Sequence, residues 1–253
     1  MPLRLRVWLD GAPPAEPFQH MTGLRALILK WIGAADPAMA KQLHETNSIK
    51  PYTISPFFTE KSSLSLEIGV LADEIGSLLL EGARKCGAEI KLGRQSFTRR
   101  KLELFDEVSW PELLPRHAPQ KTEIAIQLLT PTAHHQAGPY RKAVPVPQPE
   151  NYFASWLCRW NRFSPTAIDT AILKTVERAV AVKAFCGRAE MVPLDRGRCF
   201  IGFVGEVTFQ ILKPEKLAVW ERCALWALAR SASYCGTGVE TVRGMGQTRL
   251  GRN

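Results

Sequence analysis

Leu3-Arg4-Leu5-Arg6-Val7-Trp8-Leu9-Asp10 opens the chain with apolar residues at every second position. That period of two turns one face of an extended strand toward a core. Further along, Leu24, Leu27, Ile28 and Trp31 recur at helical spacing, Pro51 to Phe58 reads as extended, and Leu64 to Val70 reads as another strand. Leu71, Ile75, Leu78, Leu79 and Gly82 form a second helical face, followed by extended, basic chain from Glu89 to Lys101. The order β-α-β-β-α-β is the ferredoxin-like pattern.

Ser109 to Lys121 holds three prolines and interrupts the periodicity, so it reads as a linker or domain edge. The pattern then starts again. Ile124, Ile126 and Leu128 alternate, Phe153, Trp156, Leu157 and Trp160 make a helical face, and Val180 to Phe185 is a short strand. Period two returns through Cys199, Ile201, Phe203, Val207, Phe209 and Ile211. Helical spacing returns at Leu217, Trp220, Ala224 and Leu228, and Gln247 to Leu250 closes the chain as a strand. The expected fold is α+β: two tandem ferredoxin-like (RRM-like) domains at residues 1–110 and 121–253, with a glycine-rich loop before the last strand. Trp156, Trp160 and Trp226 fall on apolar faces and read as core.

With 253 residues and a 45% apolar share, the chain can build such cores; its net charge is +9. Excess positive charge favours polyanions through counterion release, although many soluble proteins are basic without binding one. No apolar run approaches the roughly 20 residues of a membrane helix, and the first ten residues lack a signal-peptide core. None of the six cysteines forms a CxxC pair, which argues against a zinc ribbon. They fall mostly in apolar patterns and read as buried thiols of a cytoplasmic protein. No metal or cofactor is expected.

Three constellations carry chemistry. The first is Leu43-His44-Glu45, with Lys50-Pro51-Tyr52 shortly after. His44 is expected in a surface loop between the first helix and the second strand. An imidazole can exchange a proton near neutrality, and a lysine six residues on can stabilise charge at a phosphate. A surface histidine beside a solvated lysine is the plainer account. The second is Gly236-Thr237-Gly238 with Gly244-Met245-Gly246, four glycines in eleven positions, and Arg243 among them. Glycine permits positive φ and close approach of backbone amides to a phosphate, yet a structural turn needs the same residues. The spacing fits neither a Walker loop nor a dinucleotide fingerprint. The third is Thr130-Pro131-Thr132-Ala133-His134-His135 with Arg141-Lys142, a basic loop or simply an exposed one. Arg94, Arg99, Arg100 and Lys101 either track phosphates or protect a strand edge.

Taken together, the segments His44 to Pro56, Thr130 to Asn161 and Gly236 to Gly246 resemble the CRISPR-associated endoribonucleases that cut the repeat RNA of CRISPR precursor transcripts, the Cas six type of the RAMP superfamily. The glycine loop is a mark of the broader superfamily; Ile49-Lys50-Pro51-Tyr52-Thr53-Ile54-Ser55-Pro56 after His44 is the more specific sign. The resemblance implies a basic cleft between the two folds and metal-independent cleavage through the ribose 2′-OH, leaving a 2′,3′-cyclic phosphate and a 5′-hydroxyl. It makes His44 the general acid or base and Lys50 the stabiliser of the transition state. Some members add a tyrosine on the first helix. Here that region holds Trp31, so a full triad does not carry over, and Tyr52 gains no role from the resemblance. His134 and His135 stand in reserve, because the family varies in its catalytic histidine. Gly236, Gly238, Arg243, Gly244 and Gly246 are expected on RNA phosphates, helped by Arg141 and Lys142. The implied partner is CRISPR repeat RNA or precursor crRNA, with a CRISPR effector complex as a further one and the chain a monomer or homodimer. Two other readings stay in view: a non-catalytic RNA-binding subunit of an effector complex, which would not need the His44/Lys50 pair, and a small-molecule enzyme of the same fold.

Overall fold

The computed structural model describes residues 1–16, 18, 20–46, 48–60, 63–136, 143–193 and 199–251. Contacts gather the chain into two units, Met1–Glu107 with Val242–Gly244, and Val108–Thr241 with Met245–Asn253.

The first unit holds β1 (Leu3–Asp10), α1 (Met21–Ala35), α2 (Pro37–Glu45), β2 (Tyr52–Ile54), β3 (Phe58–Glu60), β4 (Ser63–Val70), α3 (Asp73–Lys85), β5 (Glu89–Leu92) and β6 (Gln95–Glu107). Its antiparallel sheet runs β2-β4-β1-β6-β5, with β3 also on β4. The alternation of β1 holds: Leu3, Leu5, Val7 and Leu9 are buried, paired in register from Leu3↔Val70 to Leu9↔Leu64. On the opposite face Arg4 and Arg6 grip the buried Glu67 at 2.6 and 2.8 Å and lie over the Phe105 ring. Removing either partner of such a buried pair would strand the other charge.

α1 buries Met21, Leu24, Leu27, Ile28, Trp31 and Ile32, a stripe at helical spacing. α3 lies close against it. A Cβ on Gly82 would come within 1.6 Å of the Trp31 carbonyl oxygen, so the approach of the two backbones requires glycine there. α2 is a correction to the expected loop. Asp36 caps it, accepting from the amides of Ala38 and Met39 at 2.9 and 3.0 Å, and Pro37 fills the first turn.

The second unit holds α4 (Trp110–Leu113), β7 (Glu123–Thr132), β8 (His134–His135), β9 (Ala143–Val144), α5 (Pro149–Phe163), α6 (Ile172–Ala179), β10 (Val180–Pro193), β11 (Cys199–Ile211), α7 (Val219–Cys235) and β12 (Thr248–Leu250). Its main sheet is antiparallel in the order β10-β11-β7-β12, while β8 and β9 pair separately. In both units the strand following the first helical layer lies at the edge and the next strand lies beside β1 or β7. That is the ferredoxin-like arrangement, and the α+β expectation stands.

Trp156 and Trp160 are buried in the second core with Tyr152, Phe153 and Phe209, and Trp226 on α7 is also buried. Trp110 packs edge-on to Trp160 at 5.0 Å, which anchors α4 inside the segment expected to be a linker. β10 continues to Pro193 rather than stopping at Phe185, paired with β11 throughout. The cysteine expectation is corrected: Cys223 and Cys235 are buried, whereas Cys158, Cys186 and Cys199 are exposed and Cys86 is half-buried. Cys186 and Cys199 lie on the β10–β11 ribbon, whose β10 strand is exposed at every residue from Lys183 to Ala189. Among the described residues no helix is long and apolar enough to cross a membrane.

Candidate functional site

His44 sits in the last turn of α2, exposed to solvent, and so on a helix rather than in the expected loop. Lys50 folds back onto that same turn. Its Nζ donates to the Leu43 carbonyl at 2.5 Å and to the Thr46 carbonyl. An ammonium on the last carbonyls of a helix satisfies orphan acceptors and meets the negative end of the dipole. The six-residue spacing therefore brings His44 and Lys50 to one helix end.

A third group joins them that the sequence did not single out. Arg25 of α1 is close enough for its charge to act on both Lys50 and Tyr52. Burial lowers the Lys50 pKa from the ordinary lysine value, and the Arg25 guanidinium lowers it further. Burial raises the Tyr52 pKa, with Arg25 pulling the other way, so the phenol stays protonated at neutrality. The Arg25 Nε is buried and has no hydrogen-bond partner. A lone arginine between Leu24 and Leu27 carries no periodic signal of where its head group goes. Trp31 is 1% exposed in the α1 core and offers no exchangeable proton to a site.

The glycine loop follows α7. Gly236, Gly238, Gly244 and Gly246 all have positive φ, between 65° and 85°. A Cβ on Gly246 would stand 1.9 Å from the Thr237 carbonyl oxygen, and one on Gly238 would stand 2.3 Å from that of Ala133. The amides of the loop are largely spoken for. Those of Thr237, Val239, Met245 and Gly246 reach the carbonyls of Gly246, Ala133, Glu240 and Pro131, at 2.8, 3.1, 3.3 and 3.0 Å. Those of Gly238 and Gln247 reach the hydroxyls of Ser155 and Thr130, both at 2.9 Å. α5 fixes the loop further: Trp156 Nε1 donates to the Thr237 hydroxyl at 2.9 Å and Arg159 donates to the Gly238 carbonyl at 2.7 Å. The turn reading accounts for Gly236, Gly238 and Gly246, whose amides are committed inside the fold. Arg243 ends the short 3-10 turn Thr241–Arg243 and is half-buried. Val242, Arg243 and Gly244 group with the first unit; there Val242 packs on the core, and Gly244 faces Met21, which a Cβ would approach to 2.9 Å.

The remaining sequence-predicted residues fall elsewhere. Arg141 and Lys142 lie outside the described residues. His134, held in reserve as an acid or base, is buried with its Nε2 unpartnered and its ring 5.0 Å from that of Tyr152. Burial, with smaller contributions from the charges of Arg159 and His135, lowers its pKa to about 4. It is a neutral core histidine, and the reserve reading passes to His135, which is exposed on β8. In the basic stretch, Arg99 donates to the Ala83 carbonyl at 2.8 Å and lies over Trp31, Arg100 approaches Asp10 at 3.8 Å, and Lys101 pairs with Glu103. Arg99 is tied into the first unit's packing, whereas Arg100 and Lys101 stay exposed in surface ion pairs. Among the described residues no group of three His, Cys, Asp or Glu side chains could hold a metal ion.

Residues 126–248 match the family model of the CRISPR-associated endoribonuclease Cas6. That match spans just under half of the chain, nearly all of it within the second unit. The Cas6 endoribonuclease of Mycobacterium tuberculosis (strain H37Rv) is 24% identical over 226 residues, spanning 85% of this chain and 67% of the relative. Among solved structures, a Thermus thermophilus Cas6 product complex superimposes with a TM-score of 0.84 at 24% identity, covering 99% of this chain and all of the other. A Cas6-related protein of Pyrococcus furiosus gives 0.69 at 16% identity, with both chains fully covered. These superpositions place the Cas6 fold across the whole chain, beyond the residues that the family model matches.

Proposed function

We propose that this chain is an endoribonuclease of the Cas6 type that binds CRISPR repeat RNA and cuts precursor transcripts within the repeat, without a metal ion. The observation that carries the proposal is that Lys50, which feels the charge of Arg25, is held on the same helix end that carries the exposed His44. The ribose 2′-OH attacks the adjacent phosphorus, the bond to the 5′-oxygen breaks, and the products carry a 2′,3′-cyclic phosphate and a 5′-hydroxyl. An exposed imidazole can take the 2′ proton or return one to the leaving oxygen. Lys50 and Arg25 supply fixed positive charge for the phosphorane, with Lys50 held in place by α2's carbonyls. Tyr52, protonated and buried, lies close enough to Arg25 to feel its charge. Arg243 contacts the RNA backbone, with Arg141 and Lys142 assisting, while Gly244, buried against Met21, shapes the turn beside it. The names and structures of the relatives support RNA as the substrate, since they include Cas6 product and substrate-mimic complexes.

The test is cleavage of a labelled repeat RNA in EDTA, wild type beside His44→Ala, with a 2′-deoxy substitution at the mapped cut site. Cleavage by wild type alone, stopped by the deoxy substitution, is the expected result. Arg25→Ala should slow single-turnover cleavage about 10²-fold, the usual cost of losing one charge-stabilising donor. Tight binding with no cleavage by either protein would sink the enzymatic proposal and leave the RNA-binding subunit.

A further inference from the structure

Two cavities of about 450 and 570 Å³ lie on the second unit, and both are lined by Pro119 and Arg230. Sharing these two residues, the cavities adjoin along the proline-rich stretch after α4, and we treat them together as one groove. Arg116 and His117 line the larger cavity; Lys121 lines the smaller. The one acidic residue on either wall, Glu112, already accepts from the Ser109 amide and hydroxyl at 2.8 and 2.6 Å. Arg230 is half-buried yet has no carboxylate within ion-pair distance among the described residues. Burying a guanidinium without a counter-ion is costly, and a polyanion removes that cost.

The groove is also shaped for more than charge. Trp226 precedes Arg230 by one helical turn on α7, so the two share a face. Its Nε1 donates to the Lys121 carbonyl at 3.2 Å and pins the backbone of the proline-rich wall to the helix. Leu250 on the edge strand β12 and the 38%-exposed Leu114 add apolar surface. Cations spaced between apolar and proline surfaces match a single nucleic-acid strand, whose phosphates alternate with riboses and bases. Each cavity is too small for a duplex. An added peptide strand would need a longer edge than the three residues of β12.

We infer that this groove is a second RNA site, separate from the His44 end of α2, that holds single-stranded RNA flanking the cleaved repeat. The inference rests on the reading of the chain as an RNA-processing protein. It is tested with a short labelled oligouridylate, which cannot fold, and with a repeat RNA trimmed to its cleavable core. The variant is Arg116→Glu/Arg230→Glu in the full chain. Oligouridylate affinity should fall at least about tenfold, and the slope of log affinity against log salt should shrink by about 1.4. Single-turnover cleavage of the trimmed repeat should be unchanged. Arg116→Gln, at an exposed position, should reproduce part of the loss. In the wild type, photo-crosslinking of a 4-thiouridine oligomer should label the 111–121 peptide. Unaltered oligouridylate binding by the double variant, crosslinks only elsewhere, or equal displacement by poly-glutamate would overturn the groove. Failure of wild type to bind or cut any repeat RNA would instead overturn the RNA-processing reading.

Discussion

His44 and His134 are the same side chain in opposite surroundings, the first exposed at the end of α2 and the second buried in a core. His134 is 8% exposed, and burial is the main reason its pKa lies at about 4. Between that value and the ordinary 6.5 the unfolded chain binds a proton that the folded chain refuses. Stability from this group is therefore complete above about pH 6.5 and is lost as the pH falls toward 4, by up to about 3 kcal/mol. His134→Phe keeps a ring beside Tyr152 and removes the titration. Urea unfolding at pH 7 and pH 4.5 should show a smaller acid loss in the variant than in the wild type. Equal losses would mean that His134 is not held neutral in the fold.

The glycine loop and α2 show at the level of elements what pattern can and cannot reveal. Strands β1, β4 and β7 are legible because burying one face of a sheet imposes a period of two, and α1, α3 and α5 because a buried stripe imposes 3.6. The extended stretch read from Glu89 to Lys101 is instead the hairpin of β5 and β6, and α7 is buried nearly all round with Trp220, expected on its inner face, exposed. α2 buries only Leu43, so it has no stripe, although Asp36-Pro37 does mark a helix start. Without a stripe, pattern alone puts His44 in a loop, while the six-residue spacing to Lys50 remains visible in the sequence. The glycines were legible as glycines, but a turn and a phosphate cradle demand the same residue; only the partners of the amides separate the two. This yields a comparison. Gly87 and Gly246 share positive φ, at 73° and 65°, but a Cβ at Gly87 meets nothing within 4 Å. Gly87→Ala should lose about 1 kcal/mol from backbone strain alone. Gly246→Ala adds the collision with Thr237 and should lose clearly more, about 3 kcal/mol or above, or fail to fold. Thermal unfolding of both variants decides it, and similar losses would remove the tight-packing account of the loop.

Over the whole molecule, 33 Lys and Arg stand against 24 Asp and Glu. Part of the positive charge is spent inside the fold, as Arg4 and Arg6 on Glu67 and Arg178 on Glu221 show. The surplus is left to counterions, and RNA binding releases them, so affinity should fall steeply and linearly in log salt. Charge and chemistry then separate cleanly. A residue that contacts phosphate weakens binding and lowers the salt slope, whereas a residue that moves a proton changes the rate at saturation. Arg243→Gln should weaken repeat-RNA binding, lower the slope by about 1 and leave the single-turnover rate at saturating protein close to that of wild type. His44→Ala should do the reverse, with affinity and slope preserved and the rate lost. Filter binding over a salt series, paired with single-turnover cleavage at saturation, measures both quantities on the same proteins. An unchanged slope in Arg243→Gln would take Arg243 off the RNA, and a changed slope in His44→Ala would make His44 a phosphate contact instead of a proton carrier.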